Sequence, residues 1–403
     1  MHIKGLKGRF GRLGVAMATA LVTVFATSAE AQVEKPKYGG SLSIGTNVPS
    51  LAPLSWDPAD WNYKTAQDAG FFYDRLFVAD FSKAKSGGGP YLFKSDSYLP
   101  LDAVKGDLAE SWKWLENPLR LEVHLRKGVM FPAKPGVMAS RELTAQDVVY
   151  SYNRLLASPK RLADFIDLVD KFEAPDKYTV VIHFKYFHED WGHRLGWGVF
   201  ASVYPKEVVD AGIGDWKKAN GSGPFMLTEY VGGNSQNYAK NPLYHGKERI
   251  GGEEYKLPFV DKISIRIMKD EAARYAALRT AKLDLLQSIT WSAAEELKRN
   301  VPQLKWARWL QHGAGYIAMR TDTKPFNDVR VRRALNMAVN KQEIVSSFYG
   351  GNAEVFAYPQ HPDYVGYFEP LSSMPESIKE LYVYSPDKAR KLLAEAGYPN
   401  GFT

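Results

Sequence analysis

Three histidines recur every five residues, at His183, His188 and His193, with Glu189 and Asp190 between the last two. Imidazole and carboxylate both ligate metals, so this tract is the first place to look for a metal centre. A helix would align its ligands at i and i+4, and a spacing of five does not. His183 also alternates outward with Thr179 and Val181 against inward Val180, Ile182 and Phe184, which is the pattern of a strand. A structural or surface role is the expectation for all three. Gly221-Ser222-Gly223 sets a serine between glycines, but Asn220 precedes it and Pro224 follows, so the G-x-S-x-G frame of a nucleophile elbow is not there. A turn is expected instead. Asp164, Asp167 and Asp170 fall on one edge of a helix, where they read as a solvated face with no acid/base partner. The chain has no cysteine, so thiolate chemistry and disulfides are excluded. No residue set assigns catalysis, a metal or a cofactor.

The elements that carry these residues alternate between two periods. Leu119, Leu121, Val123 and Leu125 alternate with polar residues, as do Ile263, Ile265 and Ile267, and both runs read as strands. Helical faces are expected over Thr144 to Leu156 and Asp270 to Thr280. Two more helix starts lie between Pro325 and Val345. Asp328 caps a helix whose buried face is Val331, Ala334, Leu335 and Ala338. Asn340 restarts one, with Glu343 as its capping-box partner and Gly350-Gly351 as its stop. Near the end, Ser385 and Pro386 open a helix that buries Ala389, Leu392, Leu393 and Ala396. The chain is mixed α and β without an internal repeat, and Lys83 to Pro90 reads as a flexible surface loop.

The first residues have the three-part pattern of an export signal. Lys4, Lys7, Arg9 and Arg12 precede an apolar run from Leu13 to Ala26, and Ala29-Glu30-Ala31 fits a cleavage site, so the mature chain is expected to start at Gln32. The apolar run is short of the roughly 20 residues a membrane span needs. Removing residues 1–31 takes away four basic residues and Glu30, which lowers the formal charge from +7 to +4. That mild charge, with no basic run interleaved with aromatics, argues against nucleic acid as a partner. Aromatics make up 13% of the chain; most must pack cores, and the remainder suit a ligand cleft lined by Trp and Tyr.

The motifs fall in a recognisable order. Leu108-Ala109-Glu110-Ser111-Trp112, Leu125-Arg126-Lys127-Gly128-Val129-Met130-Phe131, Leu143 to Val149, Gly221 to Phe225, Leu257 to Ile263, Ala276 to Arg279, Pro325 to Val345 and Ala389 to Phe402 resemble, in sequence, the blocks of one family. It is the extracytoplasmic solute-binding proteins of the peptide/nickel-binding family (family 5), which serve ABC importers. The resemblance implies an α/β, two-lobed periplasmic-binding-protein-like (type II) fold with an extra inserted α/β subdomain. Mapped here, residues 1–31 are the signal peptide, residues 32–58 and 187–303 are lobe I, residues 59–186 are the insert, and residues 304–403 begin lobe II. Because the family continues where this chain reaches Gly401-Phe402-Thr403, the second lobe is expected to be truncated.

The resemblance also nominates ligand contacts: Asn47, Val48, Trp56 and Trp61 in the loop after the first strand; Gln287, Ser288 and Trp291 where the chain first approaches lobe II; and Tyr316 and Arg320 on a strand before the Pro325 motif. Plain packing is the alternative for the tryptophans, and a surface salt bridge is the alternative for Arg320. In peptide-binding members an aspartate pairs with the ligand ammonium, and its position would lie beyond Thr403. The implied protein is a monomeric, periplasmic, non-lipidated receptor that captures oligopeptides or dipeptides for an inner-membrane ABC permease and performs no covalent chemistry. A non-peptide solute (nickel chelate, opine, oligosaccharide), a chemosensory role and, more remotely, a secreted hydrolase stay open.

Overall fold

The structure is a computed structural model. It describes residues 35–48, 55–84, 89–91, 93, 99–161, 167–310, 315–358, 361–363 and 368–403. The export signal, and residues 85–88 of the loop expected at Lys83 to Pro90, lie outside these residues. Along the chain come β1 (Ser41–Thr46), α1 (Tyr63–Ala69), β2 (Phe77–Ala79), β3 (Val104–Gly106), β4 (Ala109–Glu116), β5 (Leu119–Leu125), β6 (Met130–Phe131) and β7 (Arg141–Glu142). Next are α2 (Ala145–Leu156), β8 (Val169–Glu173), β9 (Thr179–Phe184), α3 (Lys206–Asp210), β10 (Phe225–Val231), β11 (Ser235–Lys240), β12 (Lys247–Ile250), β13 (Glu253–Lys256) and β14 (Lys262–Ile267). The remainder is α4 (Glu271–Arg279), β15 (Leu285–Leu286), α5 (Trp291–Asn300), α6 (Val329–Met337), α7 (Lys341–Ser347), α8 (Glu376–Lys379) and α9 (Pro386–Glu395).

One sheet organises the first lobe, in the order β10-β11-β14-β1-β15. β1 lies between β14 and β15 and runs parallel to both, whereas β10, β11 and β14 pair antiparallel. Successive residues of a strand face opposite ways. Leu42 and Ile44 of β1 therefore join one core, with Ile263, Ile265, Phe225, Leu227 and Tyr238 under Trp56, Phe72, Tyr73 and Tyr204. Gly45 turns to the other face, where α4 and α5 bury Leu278, Leu283, Leu297 and Val301. A Cβ on Gly45 would sit 2.6 Å from Leu283 Cδ1, so glycine is what lets the connection into β15 pack this closely.

A second sheet, β4-β5-β9-β8, is antiparallel throughout and is covered by α2. Its inward Leu121, Val123, Leu125, Val180, Ile182 and Phe184 are the residues expected from alternation. The same core takes in Trp191, Leu195, Val199, Phe200 and Val203. α2 starts at Thr144, whose backbone N–H (2.9 Å) and hydroxyl (3.1 Å) both donate to the Asp147 carboxylate. Arg141 grips Asp147 through Nη1 and Nη2 (3.0 and 2.7 Å) and Glu207 through Nε and the shared Nη2 (2.6 and 2.8 Å), tying the start of α2 to α3.

The expected serine-bearing turn joins the two bodies. Gly223 N–H donates to Phe72 O (3.0 Å) and Phe225 N–H to Phe71 O (3.0 Å). A Cβ on Gly221 would lie 2.1 Å from Phe72 O, and Ser222 is wholly buried with no hydrogen-bond partner for its Oγ among the described residues. This serine is part of a close backbone crossing and cannot reach a substrate.

From Lys305 onward the regular elements among the described residues are α6 to α9 and two short 3-10 turns. Asp328 accepts from Arg330 N–H (2.8 Å) and Asn340 from Glu343 N–H (3.1 Å), so both expected caps form. The return half of the second box differs from expectation: Glu343 accepts from the Asn340 side-chain amide (3.0 Å). The buried face of α6 is Val331, Ala334 and Met337; Leu335 is half-buried and Ala338 exposed, because the helix ends at Met337, which packs on Ala389 of α9. Two other expectations fail. Residues 315–320 are not a strand, since no neighbouring backbone pairs with them among the described residues. The aspartate tract is not a helix where it is described: Asp170 lies in β8, and Asp164 falls outside the described residues.

The Gly221 crossing gives a direct test. Gly221→Ala should destabilise the protein by about 1–3 kcal/mol, the usual cost of forcing atoms into a packed site. Urea unfolding followed by tryptophan fluorescence reads this; an unchanged midpoint would mean the crossing tolerates a side chain.

Candidate functional site

Parallel strands aligned in one sheet deliver their C-terminal loops to one edge, and crevices at such edges are where α/β proteins bind ligands. Here β1 and β14 end in register, Thr46 beside Ile267, and β15 ends with Leu286 beside Gly45. Asn47-Val48 and Gln287-Ser288 therefore leave the sheet side by side, and all four are exposed. Asp284 locks β15 in place: its carboxylate accepts from Ser43 N–H (2.7 Å) and its own N–H donates to Ser43 O (2.9 Å).

The loop after β15 is held tightly for an exposed segment. Ser288 sits at φ +58°, a left-handed conformation that costs a non-glycine residue about 1–2 kcal/mol. The Tyr275 hydroxyl donates to Glu271 (2.5 Å) and accepts from Thr290 N–H (3.3 Å), while Thr290 Oγ1 donates to Glu271 (3.1 Å). The Tyr275 bond, followed by that of Thr290, holds the Glu271 carboxyl below its usual range. Strain held by surrounding bonds is characteristic of binding loops. Trp291 follows at the first position of α5, half-buried, with Lys298 Nζ 5.0 Å from its ring centroid. A Cβ on Gly350 would lie 2.8 Å from Trp291 Nε1, so the stop of α7 packs against this indole.

The other nominated residues are placed differently. Trp56 is 1% exposed, with Phe72 and Tyr230 at 6.0 and 5.5 Å between ring centroids, and its location is that of a core residue. Trp61 is half-buried against Phe200, 4.5 Å away, at the end of a turn where its own φ is +54°. Tyr316 is 83% exposed, and Arg320 makes a two-pronged contact with Asp322 (2.8 and 2.5 Å), the surface salt bridge held open as its alternative. The histidine tract divides: His183 meets Glu173 (2.7 Å), while His188 Nδ1 accepts from Asp190 N–H (3.1 Å).

A further group was not legible in the sequence. Asp74, Asp107 and His245 converge from segments up to 171 residues apart, with His245 Nε2 3.3 Å from Asp74 Oδ2 and 3.8 Å from Asp107 Oδ1. Burial, with the Asp74 charge added, pushes Asp107 up to about 7. For His245, burial opposes protonation, but the bond to Asp74 and the two carboxylates outweigh it and the net shift is upward.

The motif order and this architecture point to one family, and a comparison of the sequence decides it. Residues 103–403 match the model described as "Bacterial extracellular solute-binding proteins, family 5 Middle". The chain belongs to that family. Its mixed α/β fold is the two-lobed type II periplasmic binding fold. The chain is 29% identical over 318 residues to heme-binding protein A of Haemophilus influenzae, covering 74% of this chain and 55% of that protein. It is 27% identical over 398 residues to di/tripeptide-binding protein 2 of Pseudomonas aeruginosa, covering 94% of this chain and 66% of that one. Among solved structures, the periplasmic binding protein DppA of Helicobacter pylori in complex with the peptide STSA superposes with a TM-score of 0.71 at 25% identity, covering 91% of this chain and 68% of that one. The chain thus spans between 55% and 66% of the length of these two curated relatives. None of the helices among the described residues is long and apolar enough to cross a membrane.

Two substitutions separate strain from contact at the loop. Ser288→Val should destabilise by about 1 kcal/mol or more, while Ser288→Gly should not. Tyr275→Phe should speed amide exchange at residues 287–290 and leave the β1–β14 pairing protected. Hydrogen exchange with mass readout distinguishes these outcomes from a loop that Tyr275 does not restrain.

Proposed function

We propose that this family member is a periplasmic receptor that captures oligopeptides or dipeptides and hands them to an inner-membrane ABC permease, without covalent chemistry. The observation that carries the reading is the pair of exposed loops, Asn47-Val48 and Gln287-Ser288, at the C-terminal ends of adjacent parallel strands. Supporting it are the di/tripeptide-binding relative and the peptide complex of the superposed structure. Backbone groups at strand ends match the regular donors and acceptors of an extended peptide, and Trp291 offers an indole face beside them. On this reading lobe I is residues 32–58 and 187–303, the insert residues 59–186, with Trp191 to Val203 packing into the insert's core, and lobe II starts at about residue 304. The Trp291–Gly350 contact lies where the first-lobe loop meets second-lobe helices. A solute that touches both lobes favours the closed arrangement by its extra contacts there, and a permease can recognise that arrangement. The signal at residues 1–31 is cleaved on export, and the receptor acts as a monomer.

The heme-binding relative supplies a second outcome to test. Native mass spectrometry of the exported protein should give a mass starting at Gln32 with peptide bound. Thermal-shift titration should respond to di- and tripeptides, and Trp291→Ala should weaken that response about tenfold or more, the usual cost of removing a buried aromatic anchor. A response to heme, an opine or a metal chelate with none to peptides would overturn the peptide assignment. Turnover of any solute would overturn the receptor reading.

A further inference from the structure

The junction between the insert and the first lobe gathers two aspartates around one histidine. Asp74 is almost fully buried, just after the Phe72 crossing, and its N–H and C=O lie beside Val203. Asp107 follows β3, its Oδ2 taking a 3.4 Å hydrogen bond from Arg75 N–H. His245 lies between β11 and β12, its ring 4.9 Å from that of Tyr244. Two guanidinium groups are near, but the Arg126 guanidinium is committed to backbone oxygens, donating to Asp107 O (2.7 Å) and Gly106 O (3.3 Å). The Arg75 charge also favours the ionised Asp107. A buried carboxylate needs a counter-charge, and here buried Asp74 and part-buried Asp107 both face the His245 imidazole.

We propose that Asp74, Asp107 and His245 form a binding site for a divalent transition-metal ion of zinc's chemistry, which staples the insert to the first lobe. One ligand atom from each lies within 4.8 Å of the other two, the one group of three such residues among the described residues. Zinc takes imidazole and carboxylate at about 2.0–2.2 Å in a tetrahedron, which sets ligand atoms roughly 3.3 Å apart. The 3.3 and 3.8 Å separations from His245 need only a small contraction, and the Asp74 and Asp107 ligand atoms lie within 4.8 Å of each other. A divalent cation would neutralise both carboxylates at once. The three ligands come from segments around residues 74, 107 and 245, so the ion would join chain regions that the Lys105–Glu248 bridge (3.0 Å) already brings together. None of the three is among the nine nominated solute contacts, so this staple is independent of what the receptor carries.

The test uses the untagged full-length mature protein, stripped of metal and titrated with zinc chloride. The site should retain about one zinc ion per chain after dialysis, and zinc should raise the melting temperature by mass action. His245→Gln should lower zinc affinity by about tenfold or more, as should Asp107→Asn, while the surface variant His124→Gln should bind as wild type. Asp107→Asn keeps an acceptor for Arg75 N–H and removes one charge of the buried pair, so it should fold even where His245→Gln does not. Absence of retained zinc in the wild type, or equal retention in Asp107→Asn, would overturn the site and leave a hydrogen-bonded Asp–His–Asp group.

Discussion

Two hydrogen bonds between Ser43 and Asp284 hold the third parallel strand against β1, and the candidate site depends on them. A two-residue strand has too few ladder bonds to define its own register. The Asp284 carboxylate supplies the missing specification, and Gly45 supplies the space for Leu283 beneath it. With that register set, Gln287 and Ser288 must emerge beside Asn47 and Val48. The left-handed Ser288 and the Tyr275–Glu271–Thr290 bonds then direct the chain into α5 and bring Trp291 to its first turn.

The junction with the insert follows a different logic. There, closeness of backbone is obtained by leaving out side chains at Gly221 and Gly223, whose Cβ atoms would strike Phe72. Burial of polar groups accompanies it, since Ser222, Asp74 and Asn241 are all inside. Asn241 is satisfied by Gly223 O (2.9 Å), and the Arg141 fork satisfies Asp147 and Glu207 nearby. The two cores are thereby distinct but share a seam at residues 66–77, which places the insert firmly on the sheet that carries the candidate site.

Much of this was legible locally. Caps at Asp328 and Asn340, the helices from Thr144 and Asp270, and alternation in β5, β9 and β14 depend on neighbours within four residues and appear as expected. The family itself was legible from motif order. What failed depended on distant partners. The resemblance predicts a strand at Tyr316 to Arg320, but strands exist by pairing. DFIDLVD has a helical spacing, yet Val169 to Glu173 pairs with β9. Trp56 was nominated from its loop, and its burial is decided by Phe72 and Tyr230, far along the chain. Arg320 could pair with a ligand or with Asp322, and nothing short of three dimensions separates the two. Asp74, Asp107 and His245 share no spacing at all, and only the fold brings them together.

The central claim is that solute enters the crevice at the C-terminal ends of β14, β1 and β15. Hydrogen exchange of the mature protein with and without a saturating dipeptide mixture tests it most directly. The account predicts the strongest slowing at residues 46–48 and 287–291. Bound peptide with no slowing in either segment, or with protection confined to the inserted sheet, would contradict it.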